Sequence, residues 1–225
     1  MLVGTAANVG AIVLGSIVGL LLKRKLPRRI TTILTQGLGL VTVLIGIKMM
    51  LATENVLIVL LSVIAGGVMG ELIQIESRLD TLGVRIEKRF SRQRGTFAKA
   101  FVTSSLLYCV GPLAILGALQ DGLRGDYTLL LTKSGLDGIA SVAFASTLGI
   151  GVLFSALPVL VYQGGLTIGA SLLAPYLTTS VINEMTATGG LLILGIGLNV
   201  LKVTKIKVGN MLPGILVAAI LAGLL

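Results

Sequence analysis

The chain contains no histidine, no tryptophan and a single cysteine among its 225 residues. Without histidine it lacks the commonest metal ligand and the commonest proton relay near neutral pH. Cys109 stands alone in an apolar stretch, so neither a disulfide framework nor a Cys/His metal site is expected. No HExxH, P-loop or GxSxG motif occurs. We therefore expect a protein that is not an enzyme, with no catalytic residues, metal site or cofactor.

Charge is scarce as well. Charged residues make up 12% of the chain, hydrophobic residues 55%, and the mean hydropathy is +1.02. A soluble domain carries about twice this share of charge. No apolar run shows the alternation of a lipid-facing β-strand. The composition therefore predicts an all-α polytopic membrane protein, built as a single integral membrane domain over residues 1–225.

About eight apolar runs approach the roughly 20 residues that a membrane span requires. They are Leu2–Leu22, Ile33–Ala52, Val56–Ile75, Ala100–Leu119, Leu136–Leu157, Val159–Leu177, Met185–Leu201 and Val208–Leu225, numbered here as spans 1 to 8. The turn between spans 5 and 6, at 156–162, contains Pro158 and no charge. Residues 136–177 therefore either cross the membrane twice or form a re-entrant hairpin, and the sequence leaves both open.

Fifteen of the 18 Lys and Arg residues lie in three clusters, after spans 1, 3 and 7. The clusters are Lys23, Arg24, Lys25, Arg28 and Arg29; Arg78, Arg85, Lys88, Arg89, Arg92, Arg94 and Lys99; and Lys202, Lys205 and Lys207. If every run crosses, all three clusters face one side, which the positive-inside rule makes the cytoplasm. Both termini are then outside. The net charge of +9 reflects this topology, so we expect no nucleic-acid partner.

The segment between spans 3 and 4 is predicted to be a cytoplasmic amphipathic loop, residues 76–99. Leu79, Leu82 and Ile86 recur in it at helical spacing beside basic residues. A basic amphipathic helix lies on headgroups and is attracted to anionic lipid. We expect a topology anchor, with a lipid-sensing role as the alternative.

Two parts of the chain, residues 1–75 and 159–225, resemble each other weakly. Gly39 and Gly46 in span 2 match Gly190 and Gly197 in span 7 at one constant offset. Spans 1–3 begin outside and spans 6–8 begin inside, so the repeat would be inverted, as in many secondary transporters. We therefore predict an inverted repeat of spans 1–3 and 6–8.

Small residues indicate where helices pack closely, because they let backbones approach in lipid. Span 1 has a stripe of small residues, Ala7, Ala11, Gly15 and Gly19. Span 3 has a GxxxG motif, Gly66 and Gly70. Span 5 is so rich in Gly, Ala and Ser that we expect it to be central.

Charged groups within spans are costly and rare, which makes each one a functional candidate. Asp137 lies at the outer mouth of span 5, with Lys133 one turn before it. The pair is either an ordinary ion pair among the headgroups or the carboxylate of a substrate or coupling-ion site. Lys48, near the end of span 2, either lines a pathway or extends to the headgroups.

Amides inside the spans complete the predicted site. Asn8, Gln163 and Asn199 are expected to contribute polar groups beside Asp137. Helix breaks are predicted at Gly164 and Gly165 and at Asn210, because Gly pairs and Pro beside amides expose backbone groups that bind ions or solutes. The alternative for all these amides is simple interhelical hydrogen bonding.

Three segments carry a family resemblance: GTAANVGAIVLGSIVGLLL at 4–22, LDGIASVAFASTLGIGVLFSALPVLVYQGGLT at 136–167 and GGLLILGIGLNVLKVTKIKVGNMLP at 189–213. With them the whole chain resembles the YqgA/YdfK-type bacterial inner-membrane proteins, the domain of unknown function 554 family. The resemblance implies a multi-pass protein of the bacterial inner (cytoplasmic) membrane and a transport role without an assigned substrate. It supplies no active site.

The sequence thus favours a secondary transporter or exporter of an ion or small polar solute across the bacterial inner membrane. An ion channel and a non-transporting membrane partner or scaffold are the alternatives. Expected partners are the lipid bilayer and a small solute or ion, and assembly into a homo-oligomer stays open.

Overall fold

A computed structural model describes residues 2–23, 27–90 and 97–224. Those residues form helices and turns, with no strand. The helices are α1 Val3–Lys23, α2 Arg28–Met50, α3 Val56–Ile73, α4 Ile75–Phe90, α5 Phe97–Cys109, α6 Pro112–Arg124, α7 Thr128–Leu148, α8 Gly151–Phe154, α9 Ala156–Ile168, α10 Ala170–Leu173, α11 Thr179–Val200 and α12 Pro213–Leu224; a 3-10 turn spans Val208–Met211. The all-α prediction is confirmed.

Within this described part, five helical segments are long and apolar enough to cross a membrane. They are Val3–Lys23, Arg29–Met50, Val56–Ile73, Gly151–Ile168 and Thr179–Val200. A sixth candidate joins α5 and α6, which bend by 56° at their junction. The predicted eight spans are therefore not confirmed. Helix α7 is 21 residues long but is absent from the set, and its Thr, Ser, Lys and Asp side chains lower its hydropathy.

Predicted spans 5 and 6 have different bounds from the helices observed. Helix α7 begins at Thr128 and ends at Leu148, and the chain turns at Gly149, whose φ is +99°. The predicted turn at 156–162 is helical and belongs to α9. Pro158 lies in the first turn of α9, where a missing N–H costs no hydrogen bond, so this proline starts a helix instead of ending one.

The amphipathic segment is a helix, α4, up to Phe90. Residues 91–96, with Arg92 and Arg94, lie outside the described residues, as do Arg24 and Lys25 of the first basic cluster. The described helix agrees with the helical spacing of its leucines. Its position on a membrane surface stays a prediction.

The chain divides into two compact units. The first unit comprises residues 1–35 and 82–175, and the second comprises residues 36–81 and 176–225. Helices α1 and α5–α10 therefore belong to the first unit, and α3, α11 and α12 to the second. Helix α2 belongs to the second unit from Gln36 onward.

In the first unit, α1 and α7 approach through small residues. A Cβ added to Gly15 would collide with the carbonyl oxygen of Gly138, and one added to Gly19 would collide with that of Val142. On the opposite side of the contact, Gly138 packs on Ala11. The small-residue stripe predicted on span 1 thus serves close helix packing, which lets Cα–H groups approach carbonyl oxygens.

In the second unit, α3 crosses α12 at glycines. A Cβ on Gly66 would overlap the backbone of Gly214, and one on Gly70 would overlap the carbonyl of Asn210. The GxxxG predicted on span 3 is therefore a packing site for α12 and the turn before it.

A buried carboxylate organises the turn between α2 and α3. Glu184 of α11 is fully buried and accepts hydrogen bonds from Thr53 Oγ1 at 2.7 Å, Glu54 N at 2.7 Å and Asn55 N at 3.1 Å. Asn55 in turn caps α3 by accepting from Leu57 N. Hydrogen bonds from two backbone N–H groups and one hydroxyl satisfy this acid inside the protein.

Replacing Gly66 by alanine should destabilise the protein by roughly 1–3 kcal/mol, because the new methyl group forces α3 away from α12. Gly67→Ala is a matched control in the same helix, since its Cβ would meet only Met211 Cγ at 3.7 Å. The measurement is the temperature at which purified protein in detergent loses its monodisperse elution peak. Equal midpoints for the two variants would contradict the close contact.

Candidate functional site

Five polar side chains of α1, α7 and α9 form one hydrogen-bonded group within the first unit. We call Thr5, Asn8, Lys133, Asp137 and Gln163 the Asp137 group. All five residues are buried. Three of the four residues predicted to line the site, Asn8, Asp137 and Gln163, are therefore brought together by the fold.

Asn8 is the bridge of the group. Its Nδ2 donates to Asp137 Oδ2 at 3.0 Å and to Gln163 Oε1 at 3.0 Å. Gln163 Nε2 donates to Thr5 Oγ1 at 3.3 Å, and Lys133 Nζ donates to Asp137 Oδ2. One amide thus connects the carboxylate of α7 with the amide of α9.

Helical periodicity brings these residues to the interior. On α1, Thr5, Asn8 and Ile12 share one buried face, and on α7 Lys133, Asp137 and Ser141 do the same. Residues three and four apart lie on one side of a helix, so each helix directs its polar residues toward its neighbour. The close contact of the two helices near Gly15 and Gly138 holds these faces together.

The Lys133–Asp137 pair is buried, with side chains 7% and 10% exposed. Lone charges inside a membrane protein are costly, and pairing offsets part of that cost. The sequence allowed an ion pair among exposed headgroups, whereas the structure encloses the pair and adds Asn8 as a donor. The electrostatic energy of such a pair changes strongly when either residue gains or loses a proton, or when another ion binds beside it.

A second polar pair extends this face of α7. Tyr108 Oη lies 2.8 Å from Ser141 Oγ, one turn after Asp137, and the Tyr108 ring centroid lies 6.0 Å from Lys133 Nζ. Tyr108 is 1% exposed. The buried polar surface therefore continues from α7 to α5.

Asn8 is left with an unused acceptor. Nδ2 donates both of these hydrogen bonds, and the buried Oδ1 has no hydrogen-bond partner among the described residues. A buried acceptor without a donor is unusual in proteins and marks a place where a water, an ion or a polar solute can bind. The Asp137 group can thus offer one carboxylate and one free amide oxygen to a cation or a hydrogen-bond donor.

The remaining predicted amides belong to the second unit. Asn199 donates to Ile206 O at 2.7 Å and accepts from Ile206 N and Thr204 Oγ1, which closes the turn after α11. Asn210 accepts from Glu76 N at 2.7 Å and donates to Glu71. These contacts are structural, and a binding role for either amide stays a prediction.

The helix break expected at Gly164 and Gly165 is wrong. Both glycines lie inside α9, which runs without interruption to Ile168. A glycine in a helix interior costs only about 1 kcal/mol relative to alanine, and the surrounding apolar residues carry the helix through. Lys48 lies exposed in the last turn of α2, and Asn210 lies in the 3-10 turn before α12.

Sequence reasoning missed Thr5 and Tyr108 as neighbours of Asp137. Thr5 precedes Asn8 by one helical turn, which was the available signal. Tyr108 is distant in sequence, and only the packing of α5 against α7 reveals it. In the described part of the chain, no cluster of three or more His, Cys, Asp or Glu side chains could hold a metal ion.

The chain is similar to known proteins over nearly its whole length. A family model described as "Protein of unknown function (DUF554)" matches residues 3–223. The "Uncharacterized membrane protein YdfK" of Bacillus subtilis (strain 168) is 35% identical over 218 residues, covering 95% of this chain and 93% of that protein. The "Uncharacterized protein YqgA" of Escherichia coli (strain K12) is 33% identical over 223 residues, covering 97% and 95%.

No solved structure matches the chain. A match over almost all residues, together with two full-length relatives above 30% identity, assigns the family. The chain is a membrane protein and belongs to the DUF554 family.

Proposed function

We propose that this protein is a secondary transporter or exporter of an ion or small polar solute across the bacterial inner membrane. The observation that carries the proposal is the Asp137 group, in which a buried ion pair is bridged by an amide to a third helix. Intramembrane ionisable residues of this kind commonly form ion or substrate pathways.

The Asp137 group suits reversible binding for an electrostatic reason. A cation that binds Asp137 competes with Lys133 for the same carboxylate oxygen, Oδ2. Binding therefore weakens the ion pair and changes how strongly α7 holds α1 through Asn8. A ligand with different affinities for the paired and unpaired states shifts the balance between two conformations, as alternating access requires.

Contacts between α2 and α11 support the proposed inverted repeat. A Cβ on Gly46 would meet the carbonyl oxygen of Gly190, and one on Gly197 would lie 3.2 Å from that of Gly39. The predicted repeat equates Gly39 with Gly190 and Gly46 with Gly197. Applied to the contact between Gly46 and Gly190, it therefore gives the contact between Gly197 and Gly39. Reciprocal contacts of this kind are expected from a two-fold relation. Asn8 of predicted span 1 and Gln163 of predicted span 6 also contact each other.

Transport by purified protein in liposomes, screened over monovalent and divalent cations and small metabolites, tests the proposal. Accumulation that depends on a gradient supports a secondary transporter. Single-channel conductance in planar bilayers would assign a channel instead, and a sealed protein with a stable partner complex would assign a scaffold.

Asp137→Asn should abolish transport, but it also leaves Lys133 buried without its counter-charge, at a cost of about 3–5 kcal/mol. The Lys133→Gln/Asp137→Asn double variant removes both charges and should regain most of that stability. Thermal midpoints in detergent and liposome uptake separate the two effects.

If Asp137 binds the solute or ion, the double variant is folded and inactive. If Asp137 only neutralises Lys133, the double variant transports at the wild-type rate, and the proposed role of Asp137 is refuted. Asp126→Asn, in the exposed loop before α7, is the matched control and should transport normally, because an asparagine oxygen can still accept from Thr128 N.

The proposed orientation places both termini outside and the turn after α11 in the cytoplasm. In a Cys109→Ala background, Asp126→Cys should react with a membrane-impermeant maleimide in intact cells, whereas Val203→Cys should react only after lysis. Both positions are exposed in the fold. The reverse labelling pattern would overturn the orientation and, with it, the positive-inside assignment.

A further inference from the structure

The Asn8 amide has a fixed direction within the Asp137 group. Its Nδ2 atom donates to Asp137 Oδ2 and to Gln163 Oε1, both at 3.0 Å. An ionised carboxylate only accepts hydrogen bonds, so Asn8 must turn Nδ2 toward Asp137. Its Oδ1 atom is thereby left buried without a hydrogen-bond partner among the described residues. Oδ1 can therefore bind a cation or a hydrogen-bond donor, and it repels an anion.

Asn8 Oδ1 lies near the Asp137 carboxylate. Oδ1 and Nδ2 belong to one amide, so the hydrogen bond from Nδ2 places Oδ1 within about 5 Å of Asp137 Oδ2. Hard cations of the size of Na⁺ or Ca²⁺ bind oxygen atoms at roughly 2.3–2.6 Å. One such ion is therefore able to contact the carboxylate and the amide oxygen at the same time.

The charge balance of the Lys133–Asp137 pair favours a monovalent ion. The pair is buried and carries one positive and one negative charge. Exchanging the ammonium group for a monovalent cation leaves the net charge at the carboxylate unchanged, whereas a divalent cation adds a charge where unpaired charge is costly. Calcium sites also use several acidic ligands, and the described part of the chain has no cluster of three or more His, Cys, Asp or Glu that could hold a metal ion.

The Lys133 ammonium group has a second favourable neighbour. Its Nζ atom lies 6.0 Å from the centroid of the Tyr108 ring. The face of an aromatic ring attracts a cation at about this distance. The Tyr108 hydroxyl is itself held by a hydrogen bond with Ser141 Oγ at 2.8 Å. A cation that replaces the ammonium group at Asp137 therefore leaves Lys133 beside an attractive partner.

We propose that Asp137 and Asn8 Oδ1 bind a monovalent metal cation of the size of Na⁺ or K⁺ in place of the Lys133 ammonium group. Lys133 then neutralises Asp137 whenever the cation is absent. The inference rests on the proposed transport function, of which it specifies the ion class and the role of Lys133.

Lys133 determines whether the empty protein can change conformation. Alternating access exposes the binding site to the two sides of the membrane in turn. With Lys133 paired to Asp137 the empty site is neutral, so the empty protein can return and net transport is possible. Without Lys133 the empty site has an unpaired buried carboxylate, which is costly. Only the cation-loaded form then changes conformation, and the protein exchanges cations without net movement.

Thermal unfolding of the purified Lys133→Gln variant tests the cation site without transport. Its midpoint in detergent is measured in NaCl and in KCl against N-methyl-D-glucamine chloride, at equal ionic strength and constant pH. At least one of the two metal cations should raise the midpoint, because it binds the folded protein at Asp137. Since Lys133 competes for this carboxylate in the wild type, its removal should increase the apparent cation affinity by roughly tenfold or more.

Two variants serve as controls. Lys133→Gln/Asp137→Asn lacks the carboxylate and should have the same midpoint in every salt. Lys205→Gln is the same substitution at an exposed position and should keep the wild-type salt response.

Three results would overturn the proposal. The first is a Lys133→Gln midpoint that is equal in all salts. The second is a Lys133→Gln variant that folds in none of them while the double variant folds. The third is a response of Lys133→Gln to CaCl₂ at lower concentrations than to NaCl or KCl.

The wild type supplies a measurement that needs no variant. Radioactive sodium, or rubidium as the probe for an ion of the size of K⁺, should bind the purified protein saturably. Excess unlabelled NaCl or KCl should displace it, and N-methyl-D-glucamine chloride should not. Failure of both probes to bind saturably refutes the cation site.

Flux measurements in liposomes separate this inference from the transport function. The wild type should show net uptake of the bound cation, whereas Lys133→Gln should lose net uptake and keep the exchange of internal for external cation. Net uptake by Lys133→Gln at the wild-type rate would refute the role of Lys133. Cation binding at Asp137 without flux in any variant would refute transport and leave the site standing. Transport of another solute without any cation effect would do the reverse.

Discussion

Close approach of helix backbones is the constraint on which the rest of this protein depends. Lipid tails are as apolar as leucine, so membrane helices gain little from hydrophobic burial against each other and rely on tight packing and hydrogen bonds. Glycine supplies that packing here: Gly15 against Gly138 in the first unit and Gly66 against Gly214 in the second. A methyl group added at Gly15, Gly66 or Gly214 would overlap backbone atoms of the facing helix and force the two helices apart.

The polar interior of the first unit follows from this packing. Asn8 reaches Asp137 and Gln163 because α1 and α7 approach closely only two turns away, at Gly15 and Gly138. The same packing buries the Lys133–Asp137 pair, whose electrostatic energy is therefore sensitive to a bound ion. The close packing of the helices in this unit therefore also sets the environment of its polar side chains.

Polar residues in the second unit have a different character. Glu184, Asn199 and Asn210 bond to backbone groups of nearby turns and so stabilise the breaks between apolar helices. Backbone groups freed at a turn must find partners wherever water is scarce. The Asp137 group of the first unit differs from them, because its side chains bond to one another and leave Asn8 Oδ1 without a hydrogen-bond partner among the described residues.

The sequence by itself determined the class of protein, the helical content, the packing faces of α1 and α3 and three members of the Asp137 group, because hydropathy, intramembrane polarity and small-residue spacing act locally along one helix. It could not determine that Gly149 ends α7, that Pro158 lies in the first turn of α9 or that α9 passes through Gly164 and Gly165, since several conformations suit the same local residues. Only the tertiary structure decided that Lys133 and Asp137 are enclosed, that Tyr108 and Thr5 join them and that Asp121 of α6 is buried. Burial and pairing are set by which helices face each other, and residues far apart in the chain decide that.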